Sequence, residues 1–110
     1  MASFETASFH AQQAAEKCLK ALLVRYQVEF GKTHNLGELL RLADGIVPGI
    51  SAQLPEVREL TLYAVDARYP GESPPVDRHA ARRHAAIARK ALEAVRSLLK
   101  EYLDAGRPGR

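Results

Sequence analysis

The 110-residue chain can bury one modest hydrophobic core but not two, and 46% hydrophobic content is that of a folded domain. One cysteine, Cys18, excludes an internal disulfide framework and a cysteine-based metal site; no apolar run approaches the ~20 residues of a membrane span, and no signal-peptide plan opens the chain, so the expectation is a cytoplasmic protein without a membrane partner. The net charge of +3 hides a gradient, because residues 1–76 carry seven Lys/Arg against nine Asp/Glu and residues 77–110 carry nine against four; the basic last third suits an acidic partner, nucleic acid or protein, and reads equally as a solvated helix face.

Alanine and leucine dominate the apolar set, which favours helix. The first helix is expected over Phe4–Val28, capped by Ser3. Its apolar stripe is Phe4, Ala7, Ala11, Ala14, Cys18 and Leu22, widened by Ala15, Leu19 and Tyr26, at spacings of three and four. Gln13, Glu16, Lys17 and Lys20 form the opposite, polar stripe, and Gly31 is the expected stop. A short second helix follows, capped by Asn35 or Thr33, with Leu36, Leu39, Leu40 and Ala43 facing inward. Gly45, Pro48 and Gly49 make a loop. Pro55 opens a third helix with Val57, Leu60, Ala64 and Ala67 on its buried side, and Arg68-Tyr69-Pro70-Gly71 ends it.

The last helix, Asp77 to Leu103, is the most regular part of the chain. Ala81, His84, Ala88, Ala91, Val95, Leu98 and Tyr102 alternate in gaps of three and four, a heptad-like seam. His79, Arg82, Arg83, Lys90, Arg96 and Lys100 form a basic, solvent-facing row. Long and short helices with no credible strand predict a single all-α domain over 1–110, an up-and-down bundle of about four helices. The seam of the last helix predicts a homodimer.

Phe9-His10-Ala11-Gln12-Gln13-Ala14-Ala15-Glu16-Lys17, continuing Cys18-Leu19-Lys20-Ala21-Leu22, resembles the opening signature of HEPN-domain proteins. Lys32-Thr33-His34-Asn35-Leu36 with Leu39-Leu40, then Leu60-Thr61-Leu62-Tyr63-Ala64-Val65, then Arg68-Tyr69-Pro70-Gly71 agree in order and spacing. The resemblance implies a dimerising helical bundle that binds nucleotide or RNA, or partners a small nucleotidyltransferase in a toxin–antitoxin-like system. It implies two alternatives as well: a metal-independent endoribonuclease toxin, or a dimerisation module without ligand. Proteins similar to this one carry another amphipathic helix before the Phe-His-Ala-Gln-Gln segment, where this chain has eight residues. The expectation is an uncovered apolar side on the first helix, a second candidate dimer surface.

Ribonuclease members of the wider family use an arginine followed shortly by a histidine, and Arg78 and His84 fit that spelling. Imidazole can move a proton at a ribose 2′-hydroxyl and guanidinium can offset phosphate charge, with no metal or other cofactor required. A six-residue separation sets the two side chains ~120° apart on a continuous helix, and His84 lies on the apolar seam, so little or no cleavage is expected. Lys32 and His34, at the start of the second helix, are candidates for an anion or nucleotide phosphate; capping is the structural alternative. Arg68 and Tyr69 are candidates for gripping a phosphate and stacking on a base, or for clamping a loop. The isolated His10 carries no assignment, and Cys18 reads as a core residue.

Overall fold

The computed structural model describes residues 3–64 and 75–106, with side chains through residue 101. Among them there is no strand. The helices are α1 (Phe4–Arg25), α2 (Leu36–Asp44), α3 (Ile50–Gln53), a 3₁₀ helix (Pro55–Tyr63) and α4 (Arg78–Gly106). The all-α bundle expected from the sequence is what forms. No described helix is long and apolar enough to cross a membrane.

Ser3 caps α1, its Oγ accepting the Thr6 N–H at 3.0 Å. The other end departs from expectation: the helix stops at Arg25, three residues before Val28, and Gly31 plays no part. Gln27 takes the left-handed backbone instead, with φ 59°. Its N–H bonds the Val24 carbonyl at 3.0 Å and the Val28 N–H bonds the Leu23 carbonyl at 2.9 Å, which is the Schellman arrangement. Glycine usually supplies that conformation, so a helix stop written with glutamine carries no sequence signal.

The buried face of α1 is also turned, by roughly 60°, from the stripe read in the sequence. Leu19, Leu22 and Leu23 are fully buried, whereas Phe4 is 42% exposed and Ala7 is exposed. Alanines contribute little apolar area, so the three leucines decide which way the helix faces. Ser8, Gln12 and Glu16 come inside as a consequence.

Asn35 caps α2, accepting the Glu38 N–H at 3.1 Å, and Thr33 accepts the Asn35 N–H at 3.0 Å. Asp44 at the end of α2 accepts the Ser51 N–H at 2.9 Å and the Ser51 hydroxyl at 2.5 Å, fastening α3 back onto α2. Gly49, with φ 91°, makes the corner between them. Pro55 starts the next element as expected, but that element is a 3₁₀ helix and not an α-helix. Its three-residue period lines up Val57, Leu60 and Tyr63 as one buried row, so Tyr63 takes the inward place expected of Ala64. Ala67 and the Arg68–Gly71 ending lie outside the described residues.

Asp77 caps α4, accepting the Ala80 N–H on its side chain at 2.8 Å. The long helices α1 and α4 run in the same direction: Ser8 meets His84, and Ala21 and Val24 share a groove with Leu99. The chain returns between them through α2, α3 and the 3₁₀ helix, which runs antiparallel to α4, with Glu56 beside Lys90 and Glu59 beside Arg83. The α4 seam of Ala81, His84, Ala88, Ala91 and Val95 is buried inside this bundle, with Leu98 half-buried. The surface that the sequence offered to a second copy is therefore used within the chain. Tyr102 lies beyond the described side chains.

Gln27 is exposed, so its replacement alters the backbone term and little else. Gln27→Gly is expected to stabilise the fold by about 1 kcal/mol and to raise Tm by roughly 4 °C, with Gln27→Val moving it down. Calorimetry showing Gln27→Gly melting below the parent would contradict the assigned helix end.

Candidate functional site

Ser8, Gln12 and Glu16 stand one helical turn apart on the inner face of α1, exposed by 0%, 0% and 5%. Buried polar groups need partners, and each has them. Glu16 Oε1 accepts from Gln12 Nε2 at 2.7 Å and from His34 Nδ1 at 2.8 Å, while Oε2 accepts from Lys20 Nζ at 3.1 Å. Gln13 donates to Gln12 Oε1 at 2.7 Å. Burial pushes the Glu16 carboxyl up, but hydrogen bonds from Gln12, His34 and Lys20 outweigh it and hold the group below its ordinary value. Glu16 thus pins the segment before α2 onto α1 through His34. The stripe read from the sequence puts Glu16 on the solvent face and gives Ser8 and Gln12 no role. Polar residues at i, i+4 and i+8 inside a run of Ala and Leu are the signal that could have found them.

His34 is therefore engaged with the protein, although its side chain is 65% exposed. Lys32 is exposed. At the start of α2 the Asn35 N–H donates to Thr33 Oγ1 at 3.0 Å, the Leu36 N–H to Thr61 Oγ1 at 3.1 Å and the Glu38 N–H to Asn35 Oδ1 at 3.1 Å. Three of the donors that would meet an anion there are already taken by the chain's own oxygens. Arg68 and Tyr69 lie outside the described residues.

The Arg78–His84 pair is not brought together. Arg78 is the first residue of α4 and exposed, and the helix runs unbroken to His84, which is 5% exposed. His84 Nδ1 is 2.6 Å from Ser8 Oγ, and the Tyr63 ring lies with its centroid 4.6 Å from the imidazole. Burial lowers the His84 pKa; the Glu59 charge opposes this and the Arg83 charge adds to it. A neutral imidazole bonded to serine and covered by a tyrosine is a packed core group.

The structure divides the basic row of α4 into two. His79, Arg83, Ala86 and Lys90, at i, i+4, i+7 and i+11, share one flank. With Glu56 and Ile87 they line a groove of ≈ 370 Å³ between the 3₁₀ helix and α4. Arg83 grips Glu59 through Nη2 at 2.5 Å and Nε at 3.3 Å. Lys90 Nζ stands 3.6 Å from Glu56 Oε1, too far for a hydrogen bond. Glu56 Oε2 is buried and has no hydrogen-bond partner among the described residues. The second set, Arg82, Arg96 and Lys100, faces another way and is exposed, and Arg89, outside the row read from the sequence, joins it. Among the described residues no three His, Cys, Asp or Glu side chains gather to hold a metal ion.

The HEPN domain family model matches residues 1–102 of this chain. The chain belongs to the HEPN family. Neither a curated protein nor a solved structure matches it. In this HEPN domain the Phe-His-Ala-Gln-Gln segment has a structural meaning: it supplies Gln12 and, three residues beyond Gln13, the carboxylate that Gln12 serves.

Both buried groups tie stability to acid pH. His84 is harder to protonate in the fold than in the unfolded chain, so its contribution is complete above its ordinary value of 6.5 and is lost as pH falls below it. Glu16 holds its proton less readily when folded, so its contribution is complete above 4.5 and fades below that. Denaturant melts between pH 7 and pH 3 should show both losses. His84→Gln should flatten the part nearer pH 6 and Glu16→Gln the part below pH 4.5; slopes unchanged by either substitution would contradict the assignment.

Proposed function

We propose that this HEPN protein binds RNA by its phosphates in the groove between the 3₁₀ helix and α4, without cleaving it. The observation that carries the reading is the groove itself. Arg83 and Lys90, 50% and 58% exposed, stand with His79 beside a buried carboxylate oxygen that has no partner among the described residues. Cations hold phosphate, and the part-exposed Glu56 carboxylate on the groove wall suits a donor on the ligand, such as a ribose hydroxyl or a base amino group. Ile87 and Ala86 offer an apolar floor. Glu56 and Glu59 offset part of the positive charge, which favours modest, salt-sensitive binding. The buried, serine-bound His84 and its distance around the helix from Arg78 support a reading without cleavage. Pairing with another protein, such as a small nucleotidyltransferase, is a second reading, favoured by the opposite flank of α4.

Fluorescence anisotropy with a labelled single-stranded RNA tests the site. His79→Ala with Lys90→Ala should weaken binding about tenfold and shallow the salt slope by roughly 0.7 for each phosphate no longer neutralised. Lys17→Ala, on the exposed side of α1, should leave both unchanged. A mononucleotide in the competition arm reports whether one phosphate suffices. Loss confined to Lys32→Ala and His34→Ala would move the site to the start of α2. Chelator-resistant cleavage abolished by both His84→Ala and Arg78→Ala would establish the ribonuclease reading instead.

A further inference from the structure

The other exposed flank of α4 carries two rows at one period. Arg82, Arg89 and Arg96 recur every seven residues, and beside them Ala85, Leu92 and Leu99 recur every seven residues. None of the three arginines makes an ion pair or hydrogen bond among the described residues, and all three are exposed. Ala85 is exposed, Leu92 is 38% exposed and Leu99 half-buried. Leu99 packs its inner side against the core, but the bundle explains neither Ala85, Leu92 nor the arginines. It covers the adjoining Ala81, Ala88 and Val95, which with Ala85, Leu92 and Leu99 complete an alternating apolar seam of the coiled-coil kind. Half of that seam faces the bundle and half faces outward. Its outer end opens into a groove of ≈ 570 Å³ shared with Ala21 and Val24 of α1, where Val24 is 63% exposed.

We infer that this flank docks an acidic amphipathic helix of a partner protein, with its apolar seam on Ala85, Leu92 and Leu99 and its carboxylates on Arg82, Arg89 and Arg96. The arginine row spans ~21 Å, three turns and more of a helix laid alongside. Heptad pairing sets partner choice through charges flanking an apolar seam, which is the pattern displayed here. A second copy of this chain does not supply the complement. An antiparallel two-fold pairing of α4 with α4 would set arginine row against arginine row, and nowhere in the sequence do three carboxylates recur at seven-residue spacing. Nucleic acid would use the arginines but has no need of the leucines between them.

The test uses the full chain and synthetic helical peptides of about three heptads, with leucine at the seam and glutamate on both flanks. A lysine-flanked version and a scrambled glutamate version serve as controls, with binding read by anisotropy. The glutamate peptide should bind about tenfold tighter than either control, the scale that three exposed charge pairs on one seam can supply. The triple change Arg82→Glu, Arg89→Glu, Arg96→Glu should reverse the order of the glutamate and lysine peptides. The milder triple change to glutamine should erase it, and Leu92→Ser should weaken binding severalfold. Circular dichroism checks that each variant is folded. Equal binding of the scrambled peptide would overturn the inference, since charge alone would then suffice. Two other results would overturn it: a homodimer in sedimentation that Leu92→Ser dissolves, or duplex RNA bound through the three arginines with no peptide preference.

Discussion

A carboxylate held beneath the surface must be given donors, and Glu16 collects them from three places. Gln12 reaches it from one turn back on α1, Lys20 from one turn ahead, and His34 from the segment entering α2. The last of these bonds fixes where the chain returns after α1 ends at Arg25. Once His34 is placed, Asn35 can cap α2 and Leu36 can donate to Thr61, which brings the 3₁₀ helix alongside. The same inner face of α1 carries Ser8, and Ser8 meets His84 on α4. One polar line on one helix thus sets the positions of the elements packed against it, while Leu19, Leu22 and Leu23 provide the apolar burial around it.

This arrangement constrains the chemistry open to the domain. The histidine best spelled for proton transfer has been drawn into the bundle as a neutral, serine-bound group, and the charged groups that could meet a polyanion stand on the outside of α4. There the 3₁₀ helix makes a difference. Its Glu56 and Glu59, three residues apart, face α4 on one side, where Glu59 pairs with Arg83 and Glu56 shares a groove with Arg83 and Lys90. On the other side no acid arrives from another element among the described residues; Arg82, Arg89 and Arg96 make no ion pair there, and the acid nearest them along the helix is Glu93, one turn from Arg89 and Arg96. One helix therefore presents a mixed-charge groove on one flank and a cationic apolar stripe on the other.

Helix positions are legible in the sequence wherever their causes are local. Ser3, Asn35 and Pro55 act through neighbours within a turn or two, and each performs as its residue type suggests; the heptad-spaced seam of α4 is apolar and helical as read, but its cover comes from the chain's own bundle. Departures come where the decision lies elsewhere. The end of α1 depends on a glutamine adopting a glycine-like backbone. The 3₁₀ helix differs from an α-helix only in winding, and Leu60 fits both periods. The inward face of α1 is ambiguous in the sequence because alanines lie on both sides of the helix, and only packing against α4 resolves it. For the same reason Ser8, Gln12 and Glu16 do not stand out as a unit. The division of the basic row cannot be read before the 3₁₀ helix is placed, because Glu56 and Glu59 select which cations they offset.

Titrating isotope-labelled protein with a short single-stranded RNA, followed by amide and imidazole NMR shifts, tests the central claim most directly. The largest changes are expected at Glu56, His79, Arg83, Ala86 and Lys90, while the His84 ring signals stay in place. Changes centred on His84 and Arg78, or on Lys32 to Asn35 with the α4 groove silent, would contradict it.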